Sequence, residues 1–287
     1  MEKSTKKWFI GCGIGCGAIV IILLVLLALG FFFVKDMVYK FEETGELTDS
    51  LIDRYGNIED YTPPPDGRIP FERMEAFLYV RESLTPIREK LDHAISLLDS
   101  MRNRETRREE PRRPGQVFRA LKEGFGLIPG IGDFYKLRSQ SLLEVKMGLG
   151  EYMYIYILSY YSMLEKLPGD GPGFQLIQGD EEWNFNKWDR DDNFEERNGA
   201  MTEKINQLIL QILKNQIPRL DSPSSGSGED EWKGAFLAEI QALEADFYRI
   251  PWKDSLPFVI EASFRPFLTR LENTYSPLTN ILELAQN

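Results

Sequence analysis

The stretch "MGLGEYMYIYILSYYSML", Met147–Leu164, decides the fold class. Its eighteen positions hold one charged side chain, Glu151, and five tyrosines: Tyr152, Tyr154, Tyr156, Tyr160 and Tyr161. Apolar and aromatic residues keep helical spacing, and no proline occurs from Asp133 to Leu167. A helix that is apolar around most of its circumference is buried among other helices. A carboxylate inside it must pair, hydrogen-bond or take up a proton, because burying it unpaired is costly. Glu151, Tyr152, Tyr156 and Tyr160 therefore form the candidate partner or ligand site, a polar anchor in an apolar pocket. The structural alternative is an ion pair between Glu151 and a basic residue of a neighbouring helix. A further option leaves one tyrosine face at a wet interface with its hydroxyls outward.

Upstream, Phe77, Leu84, Leu91 and Leu98 recur every seven residues, with Val80, Ile87, Ala94 and Met101 three places after each. This is a four-heptad seam that predicts a helix packed on another helix of the same domain, kinked or split at Pro86. His93, the single histidine, falls on the exposed side of that pattern. The long tyrosine helix is expected to run from Asp133 to Leu167, with a bend at Gly148 and Gly150. Met201, Ile205, Leu208, Ile212 and Ile217 mark a helix ended by Pro218, and Trp232, Phe236, Ile240, Leu243 and Phe247 mark the next. Leu256, Ile260, Phe267, Leu271 and Tyr275 read as one last long helix, and "SPLTNILEL" (Ser276–Leu284) as a capped terminal turn. No stretch reads as a strand, so the domain is all-α.

Ahead of the tyrosines lies "GFGLIPGIGDFYKLRSQ", Gly124–Gln140. Its Leu-Ile-Pro-Gly-Ile-Gly core resembles the hairpin of the helix-hairpin-helix DNA-binding motif, a resemblance that implies glycine amides facing a phosphate. That family sets a small residue four places after the second glycine and an apolar one three further on. Here those positions hold Lys136 and Ser139. The residues alone read as a helix-turn-helix corner: Pro129 stops one helix, Gly130 and Gly132 permit positive φ, and Asp133 caps the next.

The other end of the chain sets its place. Trp8–Val34 runs 27 residues without a charge, more than the ~20 that a helix needs to cross a bilayer. A cleavable signal peptide is the competing reading, with Ala28-Leu29-Gly30 at its cleavage site, but "FFFV" continues the apolar run. Lys3, Lys6 and Lys7 favour an inside N-terminus. In "GCGIGCG", small residues four apart (Gly11 and Gly15, Cys12 and Cys16, Gly13 and Gly17) suit close approach of two such spans, hence a homo-oligomer through the transmembrane helix. The chain carries 34 Lys and Arg against 45 Asp and Glu, and beyond residue 40 the balance is 29 against 43, net −14. Such a surface repels nucleic acid. With both cysteines inside the span, no disulfide framework exists beyond it. A bacterial envelope protein fits these features.

The organisation expected is a short cytoplasmic N-terminus at 1–8 and a transmembrane signal-anchor helix at 9–34. A juxtamembrane helix and Pro-rich connector follow at 35–69, then a helical extracytoplasmic domain at 70–287 with flexible loops at 102–115, 168–198 and 221–230. Asp189, Asp191 and Asn193 hold the first ligand positions of an EF-hand loop, but Phe194 and Ala200 stand where its glycine and bidentate glutamate belong. No metal, cofactor or catalytic residue is assigned. The functional expectation is a scaffold or accessory subunit of the bacterial inner membrane, anchored in the bilayer and binding other envelope or membrane proteins. The alternatives are a carrier that holds an apolar ligand in a tyrosine-lined pocket and, with least support, a hydrolase.

Overall fold

A computed structural model of the chain describes residues 43–106, 114–171, 194–220 and 229–284. Helices and no strand occur among the described residues. No helix among them is long and apolar enough to cross a membrane, and the expected span at 9–34, with Gly11, Cys12, Gly13, Gly15, Cys16 and Gly17, lies outside them. So do the acidic positions 189–193.

Helix α1 covers 43–55 and stops at Gly56, whose φ of 81° suits a glycine terminator. A single 3-10 turn, Ile58–Asp60, leads into the proline connector. Helices α2 (Phe71–Ser83) and α3 (Thr85–Thr106) follow one another with a break at Leu84. Pro86 supplies the reason: it has no N–H to continue the ladder. The heptad seam is buried through Phe77, Val80, Leu84, Leu91 and Ala94, and His93 is exposed. The seam's partner is α4 (Pro114–Glu144), which packs along α3.

Helix α4 corrects the sequence reading. It runs unbroken through Pro129, Gly130 and Gly132, so no corner and no DNA-binding hairpin exists there, and Asp133 stands inside the helix rather than at its start. Neither glycine has positive φ. Gly130 instead makes room for α3: a Cβ at that position would come within 2.9 Å of Leu91 Cδ2. Close packing there, with Ile131 and Phe134 buried, offsets the hydrogen bond that Pro129 removes.

The helix expected over 133–167 is in fact two. α4 ends in a Schellman turn, with Met147 N–H donating to Leu142 O at 2.9 Å and Lys146 N–H to Leu143 O at 3.3 Å. Lys146 occupies the left-handed position at φ 54°, which glycine usually takes, so no glycine marks the stop. Helix α5 (Leu149–Ile157) then begins and widens into a π turn, Leu158–Met163. Gly150 lets the 58–61 segment lie against it: a Cβ there would sit 2.3 Å from Ile58 O.

Further boundaries differ from expectation. α6 (Phe194–Leu220) starts inside the loop predicted at 168–198 and includes Pro218 in its last turn. Arg197 and Asn198 pin that start, Arg197 Nε donating to Gly169 O (3.0 Å) and Asn198 Oδ1 accepting from Gly169 N–H (2.9 Å). α3 and α4 likewise extend into 102–115, and α7 (Glu229–Ala245) begins just inside 221–230. The expected last long helix is split at Pro266 into α8 (Phe258–Phe264), a 3-10 turn (Arg265–Phe267) and α9 (Leu268–Thr274). The terminal turn is α10 (Pro277–Leu284), with Ser276 Oγ accepting from Thr279 N–H at 3.4 Å. α2 packs on α4, α5, α8 and α9, while α6 and α7 pair beside the 58–60 turn.

Candidate functional site

The four residues singled out from the sequence part company in the structure. Glu151 stands in the first turn of α5 at the domain's rim. Arg73 of α2 grips it with two bonds, Nε to Oε1 at 2.6 Å and a second nitrogen to Oε2 at 2.5 Å. The same guanidinium donates to Lys146 O (3.2 Å) and Val145 O (3.5 Å). One arginine thus ties α2 to the end of α4 and the start of α5. Glu151 is the structural ion pair, with 16% of its side chain exposed and 24% of Arg73's.

Tyr152, Tyr156 and Tyr160 lie together elsewhere, and all five tyrosines of the run are buried. The option of a wet tyrosine face is thereby overturned. Four of the five hydroxyls are used inside: Tyr156 and Tyr161 both donate to Asn280 Oδ1 (2.8 and 2.7 Å), Tyr152 to Glu283 Oε2 (3.1 Å), and Tyr160 meets Thr274 Oγ1 (2.8 Å). The adjacent Tyr160 and Tyr161, both in the π turn, each reach this cluster, Tyr160 at Thr274 and Tyr161 at Asn280.

Three buried arginines complete the site. Arg81 donates to Glu283 Oε1, to Tyr152 Oη (3.1 Å), to Tyr160 Oη (3.3 Å) and to Thr274 O (2.7 Å). Its guanidinium carbon sits 5.0 Å from the Tyr156 ring centroid and 5.2 Å from that of Tyr160. Arg138 reaches Glu283 Oε2 at 3.1 Å. Arg88 donates to Thr274 O, Arg81 O (2.9 Å) and Thr85 Oγ1 (2.9 Å). Arg81, Arg138 and Glu283 are each at most 1% exposed.

The electrostatics follow from that burial. Desolvation works against the charge of Arg81, but Tyr152, Tyr160 and Glu283 outweigh it and hold the guanidinium well above the ordinary arginine value. Arg88 is pushed down, by burial first and then by Arg81. Burial drives the phenols of Tyr152, Tyr156 and Tyr161 far up, so they stay neutral donors. What such a cluster does chemically is hold a carboxylate against two guanidiniums, with phenols and an amide around it.

Sequence reasoning missed Arg81, Arg88, Arg138, Asn280 and Glu283. Arg81 and Arg88 did leave a signal, each following a seam pair (Phe77/Val80 and Leu84/Ile87) by the same offset and so lying on the seam's flank. The space a carried ligand would need among the tyrosines is filled by α10 of the same chain. A pocket of about 350 Å³ does lie on the other side of α5, between Leu51, Ile52, Ile58, Leu149 and Leu208. Among the described residues no group of three or more His, Cys, Asp or Glu is placed to hold a metal ion.

No match exists among protein-family models, curated proteins or solved structures.

Proposed function

We propose that this chain is a scaffold or accessory subunit of the bacterial inner membrane, anchored by the 9–34 span with its helical domain outside the cytoplasm. The observation that carries this reading is a contrast between interior and surface. The hydroxyls of Tyr152, Tyr156, Tyr160 and Tyr161 are spent on contacts within the chain, whereas large aromatics stand in water. Phe71 is 63% exposed and Phe258, which opens the neighbouring helix α8, is 70% exposed. Aromatic side chains are enriched at protein–protein interfaces over the rest of a protein's surface. The acidic, cysteine-free domain stays soluble beside a membrane without binding its anionic face.

The test is detergent purification of the tagged full-length chain beside a Phe71→Ser/Phe258→Ser variant, with a periplasmic-active reporter fused after Asn287 in a parallel strain. The reading predicts an active reporter, and a protein recovered at stoichiometric level with the parent and lost with the variant. Recovery of an apolar small molecule in place of a protein, seen by native mass spectrometry, would favour the carrier.

A further inference from the structure

The pocket on the far side of α5 has a floor of Leu51 from α1, Ile58 from the 3-10 turn, Leu149 from the start of α5 and Leu208 from α6. Its volume of about 350 Å³ lies within the range of small-ligand pockets, about 300–1,000 Å³. The walls are pinned at this spacing. Gly148 and Gly150 bring α5 hard against the 55–61 segment, since a Cβ on them would come within 2.7 Å of Tyr55 Cβ and 2.3 Å of Ile58 O. From the other side, Asn215 Nδ2 of α6 donates to Glu59 O at 2.5 Å and fixes the turn. The apolar floor gives water no hydrogen-bond partner.

The mouth is different. Thr48 and Ile52 of α1 and Glu59 of the turn border it. Asp49 lies one helical turn from Ile52, and Asp53 one turn from Asp49, all three exposed. Residues 43–60 hold six acidic side chains, Glu43, Glu46, Asp49, Asp53, Glu59 and Asp60, against one basic, Arg54. An apolar floor under an acidic rim suits an amphiphile with an alkyl chain and a cationic end, and it repels an anionic head. The pocket's place says where such a molecule comes from. Eight residues, 35–42, separate the expected span from α1 and reach at most about 29 Å fully extended. Thr48 and Ile52 follow within about 15 Å along α1. With that span in a bilayer, the mouth is never more than about 45 Å from lipid.

We infer that this pocket binds one acyl chain of a phospholipid whose head group ends in an ammonium, drawn from the bilayer that holds the anchor. At about 30 Å³ per methylene, the volume of one water in the liquid, the pocket takes roughly a dozen carbons of the chain. Glu59, Asp49 and Asp53 meet the ammonium, while a net anionic head is turned away. Asp60 contributes less, because Asn57 Nδ2 already donates to its Oδ2 at 3.0 Å. A lipid held there fastens the domain to the membrane at a second point, near α1. Two points fix the domain's orientation, which a single span does not, and so set which way its exposed aromatics face. The inference rests on the anchor of the scaffold reading and adds a lipid ligand to it.

The test uses the purified full-length chain in lipid nanodiscs that contain a trace of phosphatidylethanolamine with a diazirine in one acyl chain. Parallel discs carry the net anionic phosphatidylglycerol with the same photoreactive chain. After irradiation, labelled positions are mapped by mass spectrometry. The amine lipid should label the peptides of Ile52, Ile58, Leu149 or Leu208 at least about fivefold more than the anionic lipid, and the two should label the 9–34 span alike. Ile52→Glu puts a charge at an exposed position of the mouth, and Leu208→Trp fills the floor. Each should abolish pocket labelling, read on whichever keeps the parent's helical circular dichroism. Asp53→Lys with Glu59→Lys should erase the head-group preference. Equal pocket labelling by the two lipids, labelling that survives the folded pocket variants, or a preference unmoved by the lysines overturns the lipid site. A chain with its span labelled and its pocket bare overturns the lipid site alone; one whose span takes no label overturns the anchor with it.

Discussion

Helix α5 looks two ways, and the two sides use one chemistry at different depths. At the rim, Glu151 meets Arg73 in a two-pronged ion pair open in part to water. In the core, Glu283 meets Arg81 and Arg138 with all three side chains sealed. Water screens the first pair and supports either member when the other is lost. Nothing supports Arg81 in that way except the phenols and one carbonyl around it. The lesson is that depth, rather than bond count, decides what a carboxylate means to this fold.

The largest effect should come from breaking the core side. Glu283→Gln removes the carboxylate from two buried guanidiniums and is expected to destabilise by about 3–5 kcal/mol, read as a lower urea midpoint. The tyrosines sharpen the same side at high pH. Tyr152, Tyr154, Tyr156 and Tyr161 have phenols raised by burial, so the folded state keeps protons that the unfolded state loses. Their stability is fully present below about pH 10 and falls as pH rises beyond it. Absorbance at the phenolate band should stay flat for these residues and then rise together with unfolding. Independent titration near pH 10 would show the core to be wet.

Glu151→Gln tests the rim side and should cost about 1–2 kcal/mol, since Arg73 keeps its backbone acceptors and water. Lys146→Gly relieves the left-handed position that Arg73 caps and should stabilise by about 1 kcal/mol in thermal unfolding. The smallest effect is expected at Asp92, between the two depths. Burial raises its pKa, against lowering by the Ser276 hydroxyl and by Arg88. A raised acid stabilises the fold below its unfolded value and less as pH climbs through the folded one. Asp92→Asn should therefore flatten the fall of stability that sets in as pH climbs above about 4, with a small gain at neutral pH read in thermal unfolding.

The two sides were not equally legible in the sequence. Glu151 announces itself as the lone charge among eighteen residues, and its pairing with a basic residue is among the outcomes read there. Glu283 is hidden, because "NILEL" at a chain's end reads as an ordinary amphipathic turn. The all-helical class and the seam of α2 and α3 were readable because periodicity is local. The breaks were not. Lys146 stops a helix without the glycine that signals a stop, and Pro129 fails to stop one because α3 packs too closely to let it go. The arginines that build the cluster come from three helices, and only the tertiary fold brings them together.

The most direct test of this depth argument is a pair of double-mutant cycles in one urea series on the full-length chain, Arg81→Met with Glu283→Leu and Arg73→Met with Glu151→Leu. Each core single variant strands a buried charge, whereas the core double variant removes the charges together. The account predicts a coupling of about 3 kcal/mol or more in the core and about 1 kcal/mol or less at the rim. Equal couplings, or a larger one at the rim, would contradict it.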